Sequence, residues 1–235
     1  MLSPEKIHEK LKLLGIEKPP APNTIAKYIP NTRKTPTEKQ IQSWKTFLKN
    51  HQSVTWATDF FTIPTLTFKV LYVLVIIDHR TRKIISFGVT YNPTAKWTIQ
   101  QFRNATPFGE APKYLIHDND PIFRSKAFQR FLSSSVIINK RTAYRSPWQN
   151  GYAERVNGTI KRELLNQIIS LNQLHLHKIL HEYIHNYYNT NRTHQGIGEK
   201  TPIASPVYLP TTTAETKLEA TPVLKGLYHT YKKVA

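Results

Sequence analysis

The sequence predicts an α/β fold of mixed architecture in the middle of the chain. Two patterns carry this prediction. Three consecutive segments rich in apolar, aromatic and β-branched residues follow one another with short polar links, which indicates a β-meander. After them, segments whose apolar residues have helical spacing alternate with short apolar runs, as helices and strands alternate in α/β proteins.

The meander consists of strands predicted at Val54–Ile63, Val70–Asp78 and Ile84–Tyr91. The first two are apolar on both alternating faces, which is typical of strands covered on both sides of a sheet. The later elements are predicted at Thr94–Ala105 (helix), Tyr114–His117 (strand), Ser125–Leu132 (helix), Val136–Asn139 (strand), from Asn150 or Gly151 (long helix) and at about Leu174–Tyr188 (helix).

The N-terminal part of the chain is predicted to be a small helical segment. Ile7–Gly15 and Pro22–Ile29 have helical spacing, and in a basic context the pair suggests the end of a helix-turn-helix DNA reader. Two short helices separated by prolines are also a common packing unit. We expect residues 1–35 to form this segment and a linker to the next domain.

The remaining domain limits follow from composition. An amphipathic segment at Lys39–His51 precedes the strands, and a core domain is expected at 50–202. Beyond it the sequence becomes rich in proline and threonine, which favours an irregular segment. Residues 203–235 are therefore predicted to be a C-terminal extension with a strand pair within Lys217–Tyr231.

The chain is strongly basic. Its 33 Lys and Arg residues exceed its 15 Asp and Glu residues and give a formal charge of +18, which attracts a polyanion. Ribosomal proteins, binders of anionic membranes and basic tails share such a charge. A disordered tail is disfavoured because the basic residues alternate with apolar runs and with 4 Trp, 12 Tyr and 10 Phe residues. Nucleic acid is the expected partner.

The chain has no cysteine, which excludes disulfides and thiolate zinc sites. Its longest apolar run, Val70–Ile77, is far shorter than the roughly 20 residues of a membrane helix. We expect a cytoplasmic protein without a membrane partner, associated with the nucleoid when it is bound to DNA.

Four aspartates, Asp59, Asp78, Asp118 and Asp120, all lie in the strand-rich segment, where aspartate is normally disfavoured. Asp59 interrupts the apolar strand WATDFF, and a buried carboxylate without a partner costs on the order of several kcal/mol. A bound metal ion would offset that cost. The alternative for Asp59 is a hydrogen-bonded polar group in the core. Asp78, at the end of its predicted strand, is expected to be a turn-capping carboxylate.

Two further carboxylates complete a candidate site. Asp118 ends a predicted strand, where α/β sheets often carry functional groups, although it could instead form a turn. Glu154 lies on the long helix, on the same side as Asn157 and Lys161, although a glutamate near a helix N-terminus is also favoured by the helix dipole. Oxygen ligands from three elements suit Mg²⁺ or Mn²⁺.

Asp59, Asp118 and Glu154 together resemble the DDE signature of retroviral integrases and of the related transposases of bacterial insertion sequences. Glu154 lies within QNGYAERVN, and the 35 residues between Asp118 and Glu154 are the spacing of that group. The resemblance covers roughly Trp44 to Pro202, and Asn191–Gly196 (NRTHQG) is similar to the motif that follows the catalytic helix in these transposases.

The resemblance implies a ribonuclease H-like core, a mixed five-stranded sheet flanked by helices, so that 50–202 would be an integrase-type catalytic core. It also implies a polynucleotidyl transferase that uses two Mg²⁺ or Mn²⁺ ions, with Asp59 bridging both ions and Asp118 and Glu154 holding one each. Such an enzyme cuts DNA at element ends, joins the cut end to target DNA and acts as a homo-oligomer.

One position departs from the family pattern. The family often has Asp-Asn-Gly at the second carboxylate, whereas this chain has Asp118-Asn119-Asp120, which offers Asp120 as a second ligand. We expect Asp118 to be the ligand because Asp120 breaks the spacing.

Six basic residues surround the candidate site in sequence and could contact DNA phosphates. They are Lys140, Arg141, Arg145, Arg155, Lys161 and Arg162. A solvated basic face is the alternative, and Lys161 is favoured as a DNA contact because it shares the side of Glu154. Two functional alternatives also stay open: a catalytically inactive or domesticated DNA-binding relative, and a ribonuclease H-like nuclease that cuts without joining.

Overall fold

The computed structural model describes residues 3–28, 37–107, 109–143, 146–204 and 217–234. The chain divides into two compact units, Met1–Ile41 and Gln42–Ala235. Residues 29–36, where the linker after the predicted helical segment is expected, and the predicted DNA contact Arg145 lie outside the described residues.

The N-terminal unit contains the two predicted helices, α1 (Pro4–Leu13) and α2 (Pro22–Tyr28). The Ser3 side chain caps α1 by accepting a hydrogen bond from the backbone N–H of Lys6, and Pro4 occupies the first helical position, where its missing N–H costs nothing. The helix-turn-helix interpretation of this unit stays a prediction.

The second unit is built on a five-stranded sheet in the order β3-β2-β1-β4-β5. β1 pairs antiparallel with β2, and β2 with β3, whereas β1 pairs parallel with β4, and β4 with β5. The predicted mixed five-stranded sheet is thereby confirmed. The strands are β1 (Thr55–Pro64), β2 (Val70–Asp78), β3 (Ile84–Thr90), β4 (Tyr114–His117) and β5 (Ile138–Arg141).

Helices cover both faces of this sheet. Successive side chains of β1 point to opposite faces and therefore pack against different helices. Ala57 and Phe61 point to a core shared with α7 and α8, whereas Trp56 and Phe60 pack on the other side with α4, α5 and α6. The helices are α3 (Glu38–His51), α4 (Ala95–Ala105), α5 (Pro121–Arg124), α6 (Lys126–Ser134), α7 (Gly151–Glu163) and α8 (Gln173–Tyr183).

Strand β5 begins two residues later than predicted. Val136 has a left-handed backbone (φ 56°) and is 83% exposed. It belongs to the turn that follows α6, where the N–H of Ile137 donates to the carbonyl oxygen of Leu132 (2.9 Å). A β-branched residue rarely adopts this conformation, so its apolar character wrongly extended the predicted strand.

The last predicted helix also differs from the observed one. Regular α-helix ends at Tyr183, and a wider π-type turn continues over Ile184–Tyr188, closed by the N–H of Asn189 donating to the carbonyl oxygen of Ile184 (2.9 Å). Apolar spacing does not distinguish these two backbone forms.

The C-terminal extension contains the predicted strand pair, β6 (Lys217–Val223) and β7 (Tyr228–Val234), as an antiparallel hairpin. The hydroxyl of Tyr228 donates to the carbonyl oxygen of Glu163 at the end of α7, and its ring stacks on Tyr187 at 4.0 Å. The hairpin is therefore attached to the core unit. Across the described ranges, no helix is both long and apolar enough to cross a membrane.

Candidate active site

Asp59 lies in the middle of β1, the central strand. It shares the parity of Ala57 and Phe61 and so points towards α7. Asn157 of α7 donates from Nδ2 to Oδ2 of Asp59 (2.9 Å), and the backbone N–H of Phe60 donates to Oδ1 (2.9 Å). Both oxygens of this carboxylate are therefore oriented by hydrogen bonds.

Asp118 follows the last residue of β4, beside β1. The parallel register pairs Trp56 with Leu115 and Ala57 with Ile116, and extending it by two residues brings Asp59 level with Asp118. Oδ1 of Asp118 accepts a hydrogen bond from the backbone N–H of Asp120 (3.1 Å). The topology of the sheet thus brings two carboxylates that are far apart in sequence to neighbouring positions.

Glu154 lies in the first turn of α7, and Asn150 fixes where that helix begins. The buried Asn150 side chain donates from Nδ2 to the carbonyl oxygen of Thr58 (3.1 Å), next to Asp59. The preceding loop is closed at its base, where the backbone N–H of Ala143 donates to Oε1 of Gln149. Glu154 stands one turn from Asn157 and so shares the side of α7 that contacts Asp59.

The three carboxylates interact electrostatically. Burial raises the pKa of Asp59 to about 7, and the negative charges of Asp118 and Glu154 add to that rise against the hydrogen bonds from Phe60 and Asn157. Burial and the charge of Asp118 also raise the pKa of Glu154. Within the described ranges, no Lys or Arg forms an ion pair with any of the three. Among the described residues, the site is thus a group of like charges without a cationic partner.

The donor set fits a hard divalent cation in chemistry and charge. Carboxylate oxygens are the ligands that Mg²⁺ and Mn²⁺ prefer, and a cation would relieve the repulsion among the three groups. Among the residues that the structure describes, no three acidic or histidine side chains already form a closed metal cage.

Asp120 has a different place from Asp118. It is the N-cap of α5, and its Oδ1 accepts a hydrogen bond from the backbone N–H of Ile122 (2.8 Å). Its charge is also not among those that shift the pKa of Asp59, whereas the charge of Asp118 is. The structure therefore brings Asp118, the residue chosen by spacing, together with Asp59.

The two basic candidates on β5 differ in their surroundings. Nζ of Lys140 lies 5.0 Å from the ring centre of Phe47 and 5.5 Å from that of Tyr114, so this amine is engaged with aromatic rings. Arg141 is exposed and pairs in register with His117, the residue before Asp118.

The three basic candidates on α7 are all exposed but face different sides. Nζ of Lys161 lies 5.3 Å from the ring centre of Phe61, on the face of the sheet that carries Asp59. Arg155 instead lines a pocket away from the triad, and Arg162 packs against Gly158. Of the three, Lys161 lies on the face that the sequence predicted.

Nothing in the sequence indicated the contacts that two asparagines, Asn150 and Asn157, make with β1. Helical spacing placed Asn157 on the side of Glu154, but no sequence signal indicated that its partner would be Asp59. Asn150 was considered only as a helix start. Asp78 is confirmed as a turn-capping residue, because its Oδ1 accepts hydrogen bonds from both the N–H and the hydroxyl of Thr81.

Comparison with known proteins places this fold and site in a family. The integrase core domain family matches residues 49–147 and residues 137–202. The transposase for insertion sequence element IS904 of Lactococcus lactis is 28% identical over 149 residues, which are 63% of this chain and 58% of that relative. An uncharacterized 39.2 kDa protein of insertion element IS476 of Xanthomonas euvesicatoria is 25% identical over 63% of this chain and 42% of its own length. The chain thus spans about half the length of these relatives.

Solved structures agree with this assignment at the level of the fold. The catalytic core domain of HTLV-2 integrase, solved with magnesium in a dimeric form, aligns with a TM-score of 0.51 and 23% identity over 64% of this chain and 93% of that one. The Mos1 transposase catalytic domain, solved with raltegravir and Mg, aligns with a TM-score of 0.51 and 16% identity over 63% of this chain and 84% of that one. The two family matches together cover residues 49–202, more than half of the chain, so this chain belongs to the integrase core domain family of the retroviral-integrase superfamily, together with insertion-sequence transposases.

Proposed function

We propose that this chain carries the catalytic core of a transposase that cuts DNA at the ends of an insertion sequence and joins the cut end to target DNA. The observation that carries the proposal is the grouping of Asp59, Asp118 and Glu154, with no cationic partner in the described part of the chain, on the fold of an integrase core. The similarity to the IS904 transposase supports the same reaction class.

Asp59, Asp118 and Glu154 would hold the divalent metal, two Mg²⁺ or Mn²⁺ ions, that the reaction uses. Such ions supply the charge that activates an attacking water or 3′-hydroxyl and stabilises the departing oxygen. The magnesium present in the solved HTLV-2 integrase core supports this choice of metal.

The protein groups orient the carboxylates before substrate binds. Asn157 and the N–H of Phe60 fix the direction of the Asp59 carboxylate, and the N–H of Asp120 fixes that of Asp118. The hydrogen bond from Asn150 to Thr58 fixes the beginning of α7, and with it the position of Glu154, relative to β1. Because the attacking oxygen binds phosphorus directly as the leaving oxygen departs, no serine or cysteine nucleophile is required.

DNA binding would rest on the basic charge of the chain, with Lys161 on the face of the triad and Arg141 beside it as phosphate contacts. We also propose that two or more copies act together, because a transposition reaction handles two element ends. The dimeric form of the HTLV-2 integrase core supports this proposal.

A strand-transfer assay tests the reaction. The purified chain is mixed with labelled DNA from the inverted repeats flanking its coding sequence, an unlabelled plasmid target, and either Mg²⁺, Mn²⁺ or EDTA. We expect joined products only with metal, and none from Asp59→Asn or Glu154→Gln. Glu110→Gln, which removes an exposed carboxylate elsewhere, is the matched control and should join normally.

Two outcomes would contradict the proposal. Cleavage without joining in either metal would identify a nuclease, and DNA binding without either reaction would identify an inactive relative. Light scattering of the chain with and without the end DNA tests the oligomer, and a monomer in both conditions would contradict that part.

A further inference from the structure

A pocket of about 330 Å³ lies away from the carboxylate triad. Three parts of the chain line it: Arg82 in the turn between β2 and β3, the side of α7 that carries Tyr152 and Arg155, and the segment Arg192–Gly196. We call this site the arginine pocket.

The arginine pocket and the triad use different sides of α7. Successive helical residues are rotated by about 100°, so Arg155 is turned about 100° and Tyr152 about 160° from Glu154. Asn157, which contacts Asp59, is by contrast turned only about 60° from Glu154 in the opposite sense. A ligand in the arginine pocket would therefore lie across α7 from the reacting group.

Arg82 is held in an uncommon way for a turn residue. Its backbone is left-handed (φ 65°), a conformation that favours glycine or asparagine. Its guanidinium lies 3.5 Å from the ring centre of Tyr152, and its Nη1 is buried without a hydrogen-bond partner among the described residues. A buried guanidinium donor without an acceptor is costly and points to a ligand that supplies one.

The groups around Arg82 add donors but little negative charge. Both ring nitrogens of His79 and Nε2 of His194 are buried without a partner in the described part of the chain. Burial and the charge of Arg82 lower the pKa of His79 to about 3, and burial and the charge of Arg192 lower that of His194 to about 4. Glu199 also lines the pocket, but it is exposed and forms no ion pair with the described arginines.

Arg192, by contrast, has a carboxylate partner for its guanidinium. Its Nε and Nη2 donate to the carboxylate of Glu163 at distances of 2.7 to 3.1 Å. Arg82 and Arg155 have no such carboxylate partner among the described residues. Gly196 approaches Arg82 closely, since a Cβ there would lie 3.4 Å from Nε of Arg82, so the glycine keeps that side of the pocket open.

We propose that the arginine pocket binds a phosphate group of the DNA backbone through Arg82 and Arg155. A guanidinium fork matches two phosphate oxygens, and its stacking on Tyr152 fixes its plane before the ligand arrives. The choice of DNA as the source of the phosphate rests on the proposed function. The contact would position DNA across α7 from the triad without reading its sequence.

The test compares Arg82→Gln with Arg80→Gln. Arg80 lies in the same turn, is exposed and does not line the pocket, so its substitution removes the same charge. Thermal unfolding is measured with inorganic phosphate against chloride at equal ionic strength. We expect phosphate to raise the Tm of the wild type and of Arg80→Gln, and to lose at least half of this effect in Arg82→Gln.

The second measurement is the affinity for labelled duplex DNA without metal, from 50 to 300 mM NaCl. Losing one phosphate contact should reduce the slope of log affinity against log salt by about one and weaken binding roughly ten-fold at low salt, beyond the effect of Arg80→Gln. Arg155→Gln changes an exposed side chain and should show the same loss, so the proposal stays testable where Arg82→Gln fails to fold.

The outcomes separate this inference from the proposed function. Equal behaviour of Arg82→Gln and Arg80→Gln in both measurements would overturn it. Loss of phosphate stabilisation with an unchanged DNA slope would overturn the assignment to DNA, because the pocket would then hold a free anion. Loss of both effects in a protein that never joins DNA would support the pocket and contradict the transposase.

Discussion

Two sides of α7 differ in the charge that they leave unpaired. Among the described residues, the three carboxylates on one side form no ion pair with a basic residue, and Arg82 and Arg155 on the other side form none with an acidic residue. The end of the same helix provides the contrast, because Glu163 and Arg192 form a hydrogen-bonded ion pair there. Folded proteins normally pair their buried charges. We therefore propose ligands at the partly buried Asp59 and Arg82, whereas the Glu163–Arg192 pair stabilises the fold.

The largest expected effect separates Asp118 from Asp120. Asp118→Asn should reduce metal-dependent strand transfer by about a thousand-fold, because it removes a ligand charge from the reacting centre. Asp120→Asn should retain activity, since asparagine also caps helices, and should lower stability by under about 1 kcal/mol. Joining assays and urea unfolding of both variants measure this. Full activity in Asp118→Asn would overturn the assignment.

A smaller loss is expected when a group that orients the triad is removed. Asn157→Ala should lower the rate of strand transfer by about ten- to a hundred-fold, because the Asp59 carboxylate loses one of its two hydrogen bonds. We also expect Asn157→Ala to need a higher metal concentration for half-maximal activity. Asn104→Ala, at an exposed asparagine of α4, is the control. Equal rates for the two variants would remove Asn157 from the site.

The paired charge should respond in stability and not in metal use. Glu163→Gln leaves the partly buried Arg192 without its carboxylate and should lower the free energy of unfolding by about 2 kcal/mol. The metal concentration for half-maximal strand transfer should stay unchanged, because neither residue faces the triad. Urea unfolding and a metal titration test this. A changed metal requirement in Glu163→Gln would contradict a purely structural role of the Glu163–Arg192 pair.

A further expected effect is a difference in pH dependence between the wild type and Asp59→Asn. The folded pKa of Asp59, about 7, lies above the ordinary value of 3.8, so the folded state binds more protons between these values. Without metal, the wild type should therefore lose stability relative to Asp59→Asn as pH rises from about 4 to 7. Urea unfolding in EDTA at pH 5, 6 and 7 measures the difference.

Magnesium supplies the control for this pH experiment. It should stabilise the wild type more at pH 7 than at pH 5, because metal binding requires the deprotonated carboxylate. A constant difference between the two proteins across this range would contradict the raised pKa of Asp59.

The sequence predicted elements best where burial alone determines the pattern. The limits of β2 and β4 match the prediction, because continuous apolar runs are bounded by polar residues there. β5 was misplaced because Val136 takes a turn conformation that its side chain does not indicate. Turn geometry depends on how α6 ends, which apolar periodicity does not describe.

The sequence also predicted the carboxylates of the candidate site better than the contacts that hold them. Asp59, Asp118 and Glu154 could be selected from context and spacing, and whether they act together stays a prediction of function. The Asn157–Asp59 hydrogen bond could not be predicted, because helical spacing gives a side of α7 but not the strand that the side meets. Nothing in the sequence distinguishes Arg82 from other basic residues in turns. The surroundings of its guanidinium are formed by Tyr152 and Gly196, which are distant in sequence.

The hydrogen bond from Asn150 to Thr58 has a consequence for how such a protein can be altered. It ties the beginning of α7 directly to β1, while Ala143 and Gln149 close the preceding loop at its base. The position of Glu154 relative to Asp59 therefore rests on a direct contact between α7 and β1. We therefore expect a short insertion in that loop to leave the beginning of α7 in place.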